Sequence, residues 1–581
     1  MTAAPQQRRD ALEARHPRWL PRTVAASLDA AVENYSDRPL VIGDERTYSY
    51  AEIQEWSRRL AAGLIASGIR PGDHVAVVLG NYPSFVALKY AISRVGAACV
   101  PINFQLRRAE LTYILRQSRA RMLVIMDVFR DYDYLGLLDQ MIPGWRQSAG
   151  GETLADLRRM CVVPTGETAD REAFSLEDLA RIGEDHRAEL AERETAGDPD
   201  APSDVIYTSG TTGSPKGVLL THDMVLRTAY ASAYVRAFED ARRIHFALPM
   251  YHVFGYIECL IAATFVGGAI IPHVQFDAVG SLDAIERHRA NEIVCVPLMT
   301  LKMLEAAEDR RRDLSSLISV FSSGGTSPPE IWAAIRSVLG AQEVMTAYGM
   351  TETTASTTCT LPEGPDDRLL TSNGCLKQAG IAGVASLGGR LAVYKTRDPE
   401  TGVDLAPGIP GELMAYGPII TPGYFDKPEE TAAAFTVDGW LHTGDVGTID
   451  HDGFLSLTGR IKESYRCGGE MVMPREIESL LGEHSAVQEA HVVGVPHPRM
   501  GEVGCACVVL DPQSPAPEPE ELMDLCAAHL ARFKVPRYVL FVDAEDLPRT
   551  ATGRVQKFKL IEQVKPLIDA VPAVSFHPTR S

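Results

Sequence analysis

The run DVIYTSGTTGSPKGVLLTH, residues 204–222, is the part of the chain best suited to holding phosphate. An apolar strand, DVIYT, feeds a loop of Ser, Thr and Gly, followed by Lys216 and an apolar, helical-looking segment. Small residues let backbone N–H groups close around phosphate oxygens, hydroxyls add donors, and the lysine adds charge. The loop is not a Walker sequence, which needs GxxxxGK[ST]; here Lys216 follows Pro215 and precedes Gly217. A Gly-Thr-Thr-Gly run between a strand and Pro-Lys-Gly is too constrained for a flexible linker. No CxxC pair and no Cys/His cluster with zinc spacing occurs anywhere in the chain.

Further segments share a pattern with this loop. They are LPMYHVFG (248–255), SGGT (323–326), TAYGMTE (346–352), GELMAYGPIITPGYFDKPEETAAAF (411–435), DGWLHTGD (438–445), GRIKESYRCGGEMVMPREIE (459–478) and PRTATGRVQK (548–557). With YTSGTTGSPKG they resemble, in order and over about residues 25 to 565, the motifs of the adenylate-forming superfamily. That group includes acyl-CoA synthetases, peptide-synthetase adenylation domains and beetle luciferase. The flow around YHVFG is most similar to free-standing medium- and long-chain fatty acyl-CoA synthetases. The resemblance implies that a carboxylate attacks the α-phosphorus of ATP to give acyl-AMP and pyrophosphate, and that a thiol, coenzyme A, then takes the acyl group. Neither step needs a protein nucleophile, which suits a chain with no Ser-His-Asp constellation in these motifs; positioning and charge stabilisation carry the catalysis.

Carried over residue by residue, the resemblance assigns Thr208, Ser209, Gly210, Thr211, Thr212, Gly213 and Lys216 to the β- and γ-phosphates. Thr208 and Glu352 would hold Mg²⁺, a hard ion that wants oxygen ligands. Tyr348, in the segment with Gly349 and Thr351, would pack against adenine, with Gly324, Gly325 and Thr326 on the other side. Asp445 would accept both ribose hydroxyls and Arg460 would meet the ribose. Lys557 is the catalytic lysine, bridging the acid and the α-phosphate as charge develops. Lys462 takes the hinge position; rotation there would withdraw Lys557 and bring in the glycine loop with Gly468 and Gly469. His252 would stand beside the acyl pocket. Two departures from the family pattern are the Met471 that follows GGE, where many relatives have Asn, and Tyr416, which replaces a common Arg. An aryl acid, and a carrier protein or an amine as acceptor, stay open at this point.

The elements that must position these residues read as an α/β chain. HVAVVLG (74–80), ACVPIN (98–103), RMLVIM (121–126), IHFALPM (244–250), AIIP (269–272), EIVCVP (292–297) and LISVFSSGG (317–325) read as buried strands, and PSFVALKYAISRVGA (83–97) as an amphipathic helix. This order predicts a parallel, doubly wound sheet, and with the resemblance doubly wound mixed sheets in a large N-terminal domain, residues 1–460. The resemblance adds a small β-barrel-like subdomain and a hinge to a small mobile α+β C-terminal domain, 461–581. Residues 147–203 read as a surface excursion with one helix near 175–193. The stretch Val253 to Ile271 is apolar but holds Glu258, Thr264 and Gly267-Gly268, so it reads as a buried helix, a turn and a strand rather than a membrane span.

Length and composition agree. The 581 residues carry 57 Lys+Arg against 76 Asp+Glu, a net charge of −19, with 45% apolar and 23% charged residues. This is a globular profile long enough for several cores. The acidity excludes a general nucleic-acid binder. Ten scattered cysteines, no apolar leader in MTAAPQQRRDALEARHP and no SKL-type end in HPTRS point to the cytoplasm and to no integral membrane segment, while the resemblance implies ATP, CoA and a small carboxylic acid as partners. A homodimer stays open.

Overall fold

The computed structural model describes residues 3–130, 132–166, 173–208, 215–324, 330–467, 470–550 and 553–568. Its contacts divide the chain into two compact units, Met1–Val393 with Ala415–Leu441, and Tyr394–Met414 with His442–Ser581. The second unit thus begins earlier than residue 460, because the strands leading to Arg460 group with the C-terminal segments.

The first unit is built on two sheets. One has six strands in the order Lys216–Thr221, Pro202–Thr208, Ala98–Pro101, His74–Val78, Met122–Met126 and Arg159–Val163, parallel except for the first pair. The other has seven, Glu343–Met345, Ser319–Ser322, Glu292–Cys295, Arg243–Phe246, Ala269–Pro272, Pro39–Ile42 and Thr47–Ser49, parallel except for the last hairpin. Strands covered on both faces read as continuous apolar runs, and HVAVV and MLVIM are buried at every position. The helix expected over 83–97 spans Pro83–Arg94, with Pro in its first turn.

Two expectations change. Residues 147–203 supply an edge strand, Arg159–Val163, and two helices, Leu176–Ile182 and Arg187–Thr195, instead of one. The short run MCVV is enough to extend the sheet because its side chains are buried there. The excursion is packed tightly: a Cβ at Gly63 would lie 1.9 Å from the Leu179 carbonyl oxygen, so only glycine admits this approach. Second, the residues after Lys216 form a strand, and the helix begins only at His222, where the Thr221 hydroxyl accepts the Met224 N–H.

Val253 to Thr264 is a buried helix whose middle turn, Tyr256–Ile261, has π-helical bonding, followed by the strand Ala269–Pro272. Among the described residues no helix is long and apolar enough to cross a membrane. The second unit holds a five-stranded sheet with Val487–His497 and Gly501–Leu510 as its long hairpin, and the helices Pro474–Leu481, Pro519–His529 and Lys557–Ile568. Cys505 and Cys507 lie buried in that hairpin. An open four-stranded sheet, Val393–Arg397, Gly411–Tyr416, Leu441–Ile449 and Leu455–Arg460, stands where a small β subdomain was expected.

Charge is buried deep in the first unit. Arg236, Arg242, Glu258 and Glu292 are all fully buried. Arg236 bonds Glu292 through Nε at 2.9 Å, and Arg242 lies 3.2 Å from the same carboxylate. Glu292→Ala removes the carboxylate that both guanidinium groups share, although Arg236 keeps Glu258 and Arg242 keeps Glu239, and is expected to cost about 3 kcal/mol, read from chemical denaturation of the protein. Burial also pushes the imidazoles of His222 and His245 down to about 3 from 6.5. Below pH 6.5 the unfolded chain takes up protons that the folded chain refuses, so stability falls on acidification. The slope is about 1.4 kcal/mol per pH unit for each histidine. The unfolding midpoint should drop between pH 7 and pH 5, and His222→Gln should shrink that drop.

Candidate active site

The phosphate loop has two described stems. Pro202–Thr208 and Lys216–Thr221 pair antiparallel, with Thr208 opposite Lys216. Ser209, Gly210, Thr211, Thr212 and Gly213 lie outside the described residues. The Lys216 ammonium sits 4.7 Å over the ring of Tyr424. The Tyr424 hydroxyl donates to the Glu352 carboxylate at 3.1 Å. Burial, then the Glu352 charge, pushes the Tyr424 phenol well up, so it stays a neutral donor. Tyr424 therefore joins the lysine of the loop stem to the carboxylate expected at the metal. Its own place is fixed by backbone: Phe425 N–H donates to the Gly217 carbonyl at 2.8 Å, Leu219 N–H to Gly423 at 3.1 Å, and Thr421 N–H to the Glu352 carbonyl at 2.8 Å. The sequence shows Tyr424 within the connector but gives it no role; its position right after Pro-Gly is the one signal there.

The nucleotide segment leaves the C-terminal ends of parallel strands, where open α/β sheets bind ligands. Ser319–Ser322 runs into Ser323 and Gly324, and the neighbouring Glu343–Met345 runs into Tyr348. The Ser323 hydroxyl donates to the Ala347 carbonyl at 2.6 Å, tying the two exits together. Gly324 has φ +89°, which favours glycine. Gly325 and Thr326 lie outside the described residues. Tyr348 is buried, and its N–H donates to the Thr358 hydroxyl at 3.0 Å. Gly349 pairs with Ser356 so closely that a Cβ would meet the Ala355 carbonyl oxygen at 1.9 Å. The tight turn Thr351–Thr353 then presents Glu352, 8% exposed. A hydroxyl at Thr208 and a carboxylate at Glu352 are hard oxygen donors of the kind Mg²⁺ takes alongside phosphate oxygens.

His252 caps the helix that follows it: its Nδ1 accepts the Phe254 N–H at 3.3 Å, which leaves the proton of the neutral ring on Nε2. Burial pushes this imidazole down to about 4, so it is neutral at neutral pH. Aromatic edges gather beside it, Tyr251 against Phe104 and Phe254 against Phe321.

The second unit carries the other set. Asp445 is 3% exposed and stands directly across the strand pair from Arg460, whose Nε lies 2.6 Å from its Oδ1. The segment before it is held by Glu412, which contacts His442 at 2.9 Å and accepts the Gly444 N–H at 3.3 Å. Lys462 is exposed on the turn Ile461–Glu463. Lys557 opens its helix with its ammonium 2.5 Å from Glu478. Gly468 and Gly469 lie outside the described residues.

Comparison with known proteins gives the family. The family model described as AMP-binding enzyme matches residues 28–425, and that described as AMP-binding enzyme C-terminal domain matches 476–554. The chain is 34% identical to a putative acyl-CoA synthetase, YngI, of Bacillus subtilis, covering 93% of this chain and 97% of that one. It is 35% identical to the 3-[(3aS,4S,7aS)-7a-methyl-1,5-dioxo-octahydro-1H-inden-4-yl]propanoyl:CoA ligase of Mycobacterium tuberculosis, covering 93% and 99%. The solved structure of o-succinylbenzoate CoA synthetase from Bacillus subtilis with its acyl-adenylate intermediate superposes with a TM-score of 0.73 at 26% identity, covering 92% and 97%. With its two sheets, its phosphate-loop stems and its C-terminal unit, this chain belongs to the AMP-binding enzyme family, as an AMP-forming acid–CoA ligase.

Proposed function

We propose that this chain activates a medium- or long-chain fatty acid, in the cytoplasm, through the residues assembled above. The observation that carries the reading is the line Lys216–Tyr424–Glu352, which couples the phosphate-loop stem to a buried carboxylate. The acid's carboxylate oxygen bonds to the α-phosphorus, and the bond to the β-phosphate oxygen breaks, releasing pyrophosphate. The thiol sulfur of CoA then bonds to the acyl carbon, and AMP leaves. Thr208 and Lys216, with the loop between the stems, hold the β- and γ-phosphates. Tyr348 and the Gly324 turn flank adenine. Asp445 takes the ribose hydroxyls, with Arg460 steadying it at 2.6 Å. Thr208 and Glu352 would hold Mg²⁺, a hard cation that would offset charge on the phosphates when bound. Lys557 meets the developing charge at the α-phosphate. Neutral His252 and the aromatic edges of Tyr251 and Phe254 would border the acyl group, an apolar lining that suits a fatty acid. Lys462 is the pivot about which the lid 461–581 turns between the half-reactions. Ten free thiols suit a reducing compartment.

The test is pyrophosphate release from ATP and Mg²⁺ over a panel of fatty and aryl acids, with and without CoA. Fatty-acid-dependent release, with thioester formed, is expected, and Lys557→Ala should slow adenylate formation about 10²- to 10³-fold. Release only with aryl acids, or adenylate that CoA does not consume, overturns the substrate or the acceptor. Tyr424→Phe removes the donor to Glu352 and should raise KM for ATP about tenfold, with KM for the acid little changed.

A further inference from the structure

The ammonium of Lys557 is already committed within its own unit. It lies 2.5 Å from Glu478 Oε1 and 3.7 Å from Glu463. The same Glu478 oxygen accepts the Val492 N–H at 2.7 Å. Glu478 projects from the helix Pro474–Leu481, and Val492 lies in the strand Val487–His497. A backbone amide therefore pins this carboxylate, and it cannot follow the lysine if the lysine leaves. Glu463 closes the turn that also carries Lys462, and it pairs with Arg554 as well. The side chains of Lys557 and Glu478 are only 12% and 17% exposed, so water screens the pair incompletely.

We propose that Glu478, with Glu463 behind it, is a built-in seat for the Lys557 ammonium, one that competes with the substrate carboxylate and so sets the balance between the two half-reactions. The inference rests on the role given to Lys557 above. Glu478 and the incoming acid are the same chemical group, and a pinned carboxylate 2.5 Å from the ammonium already offsets the charge that the acid has to draw on. Adenylate formation has to draw that charge away from Glu478. On the reading in which rotation at Lys462 withdraws Lys557 before the thiol attacks, the seat slows the first step and leaves the second untouched, which shifts the balance between them. Glu478 is a positioning residue and acts only through Lys557.

Glu478→Gln keeps an acceptor for Val492 N–H and removes the charge. Two rates are measured with the acid of the panel that turns over fastest: acid-dependent pyrophosphate–ATP exchange, and thioester formation from its supplied acyl-AMP and CoA. The exchange kcat/KM for the acid is expected to rise about three- to tenfold while the thioester step does not rise, and the gain should vanish when Lys557→Ala is added. An equal fall in both half-reactions, no change in exchange, or a gain that survives Lys557→Ala overturns the proposal. If Glu478→Gln does not fold, Glu463→Gln carries the same test, and the absence of a gain in the soluble Glu463 variant overturns it equally. Exchange untouched by Lys557→Ala alone overturns the reading of Lys557 itself. Exchange abolished in Lys557→Ala but unmoved in Glu478→Gln overturns only the seat.

Discussion

Glu258 has no exposed surface at all, and the first unit is organised around satisfying it. An unmet buried carboxylate costs several kcal/mol. Here the Ser232 hydroxyl donates to it, Ser356 donates from both its N–H, at 2.9 Å, and its hydroxyl, and the Lys377 ammonium lies 3.3 Å away. Arg236 stands 3.7 Å from the second oxygen and donates to the Glu258 carbonyl at 2.7 Å. Burial alone would raise its pKa, yet Lys377 and Arg236 hold it below the ordinary carboxylate range. The consequence is geometric. Glu258 sits within two helical turns of His252, and Ser356 pairs with Gly349 beside Tyr348 and Glu352. One carboxylate thus locks the helix that follows His252 to the hairpin that carries Gly349, beside Tyr348 and Glu352.

The cluster continues from Arg236 to Glu292 and Arg242, at the start of the strand Glu292–Cys295. The other end of that strand, at Cys295, accepts the N–H of Ser323 at 3.1 Å, next to Gly324. Stability and chemistry therefore occupy opposite ends of the same parallel strands. The charges at the N-terminal ends are sealed and paired with one another. The C-terminal ends open into loops whose backbone can face a ligand. A loop such as Ser323–Gly324 keeps its shape because the strand beneath it cannot shift.

Legibility in the sequence is a matter of range. Strands such as His74–Val78 and the helix Pro83–Arg94 are written in local apolar periodicity, and the phosphate-loop stems in a contiguous run. Arg159–Val163 escapes a sequence reading because four apolar residues among Arg, Gly and Glu give a weak local signal, while the sheet edge it completes lies in another segment. The strand after Lys216 reads as helix because GVLLT fits either period, and its antiparallel partner decides the outcome. Glu258 is legible only as a residue unsuited to a membrane span. Its partners Ser356 and Lys377 lie 98 and 119 positions away, and no spacing rule reaches that far. Tyr424 is hidden for the same reason, its hydroxyl meeting a carboxylate 72 positions earlier.

The way the cations are held follows from the charge of the whole. ATP, CoA and a carboxylic acid are all anions, and the chain carries a net charge of −19, so attraction has to come from individual residues rather than from a general field. Those residues are held differently. Arg460 is fixed by Asp445 and Lys557 by Glu478, each in an ion pair with a carboxylate. Lys216 lies over the face of Tyr424, whose hydroxyl proton points to Glu352 instead. A ring face orients an ammonium without neutralising it, so the position of Lys216 is set without an ion pair at that ring. An ion pair does the reverse: it fixes the cation by offsetting its charge, as Asp445 does for Arg460 and Glu478 for Lys557.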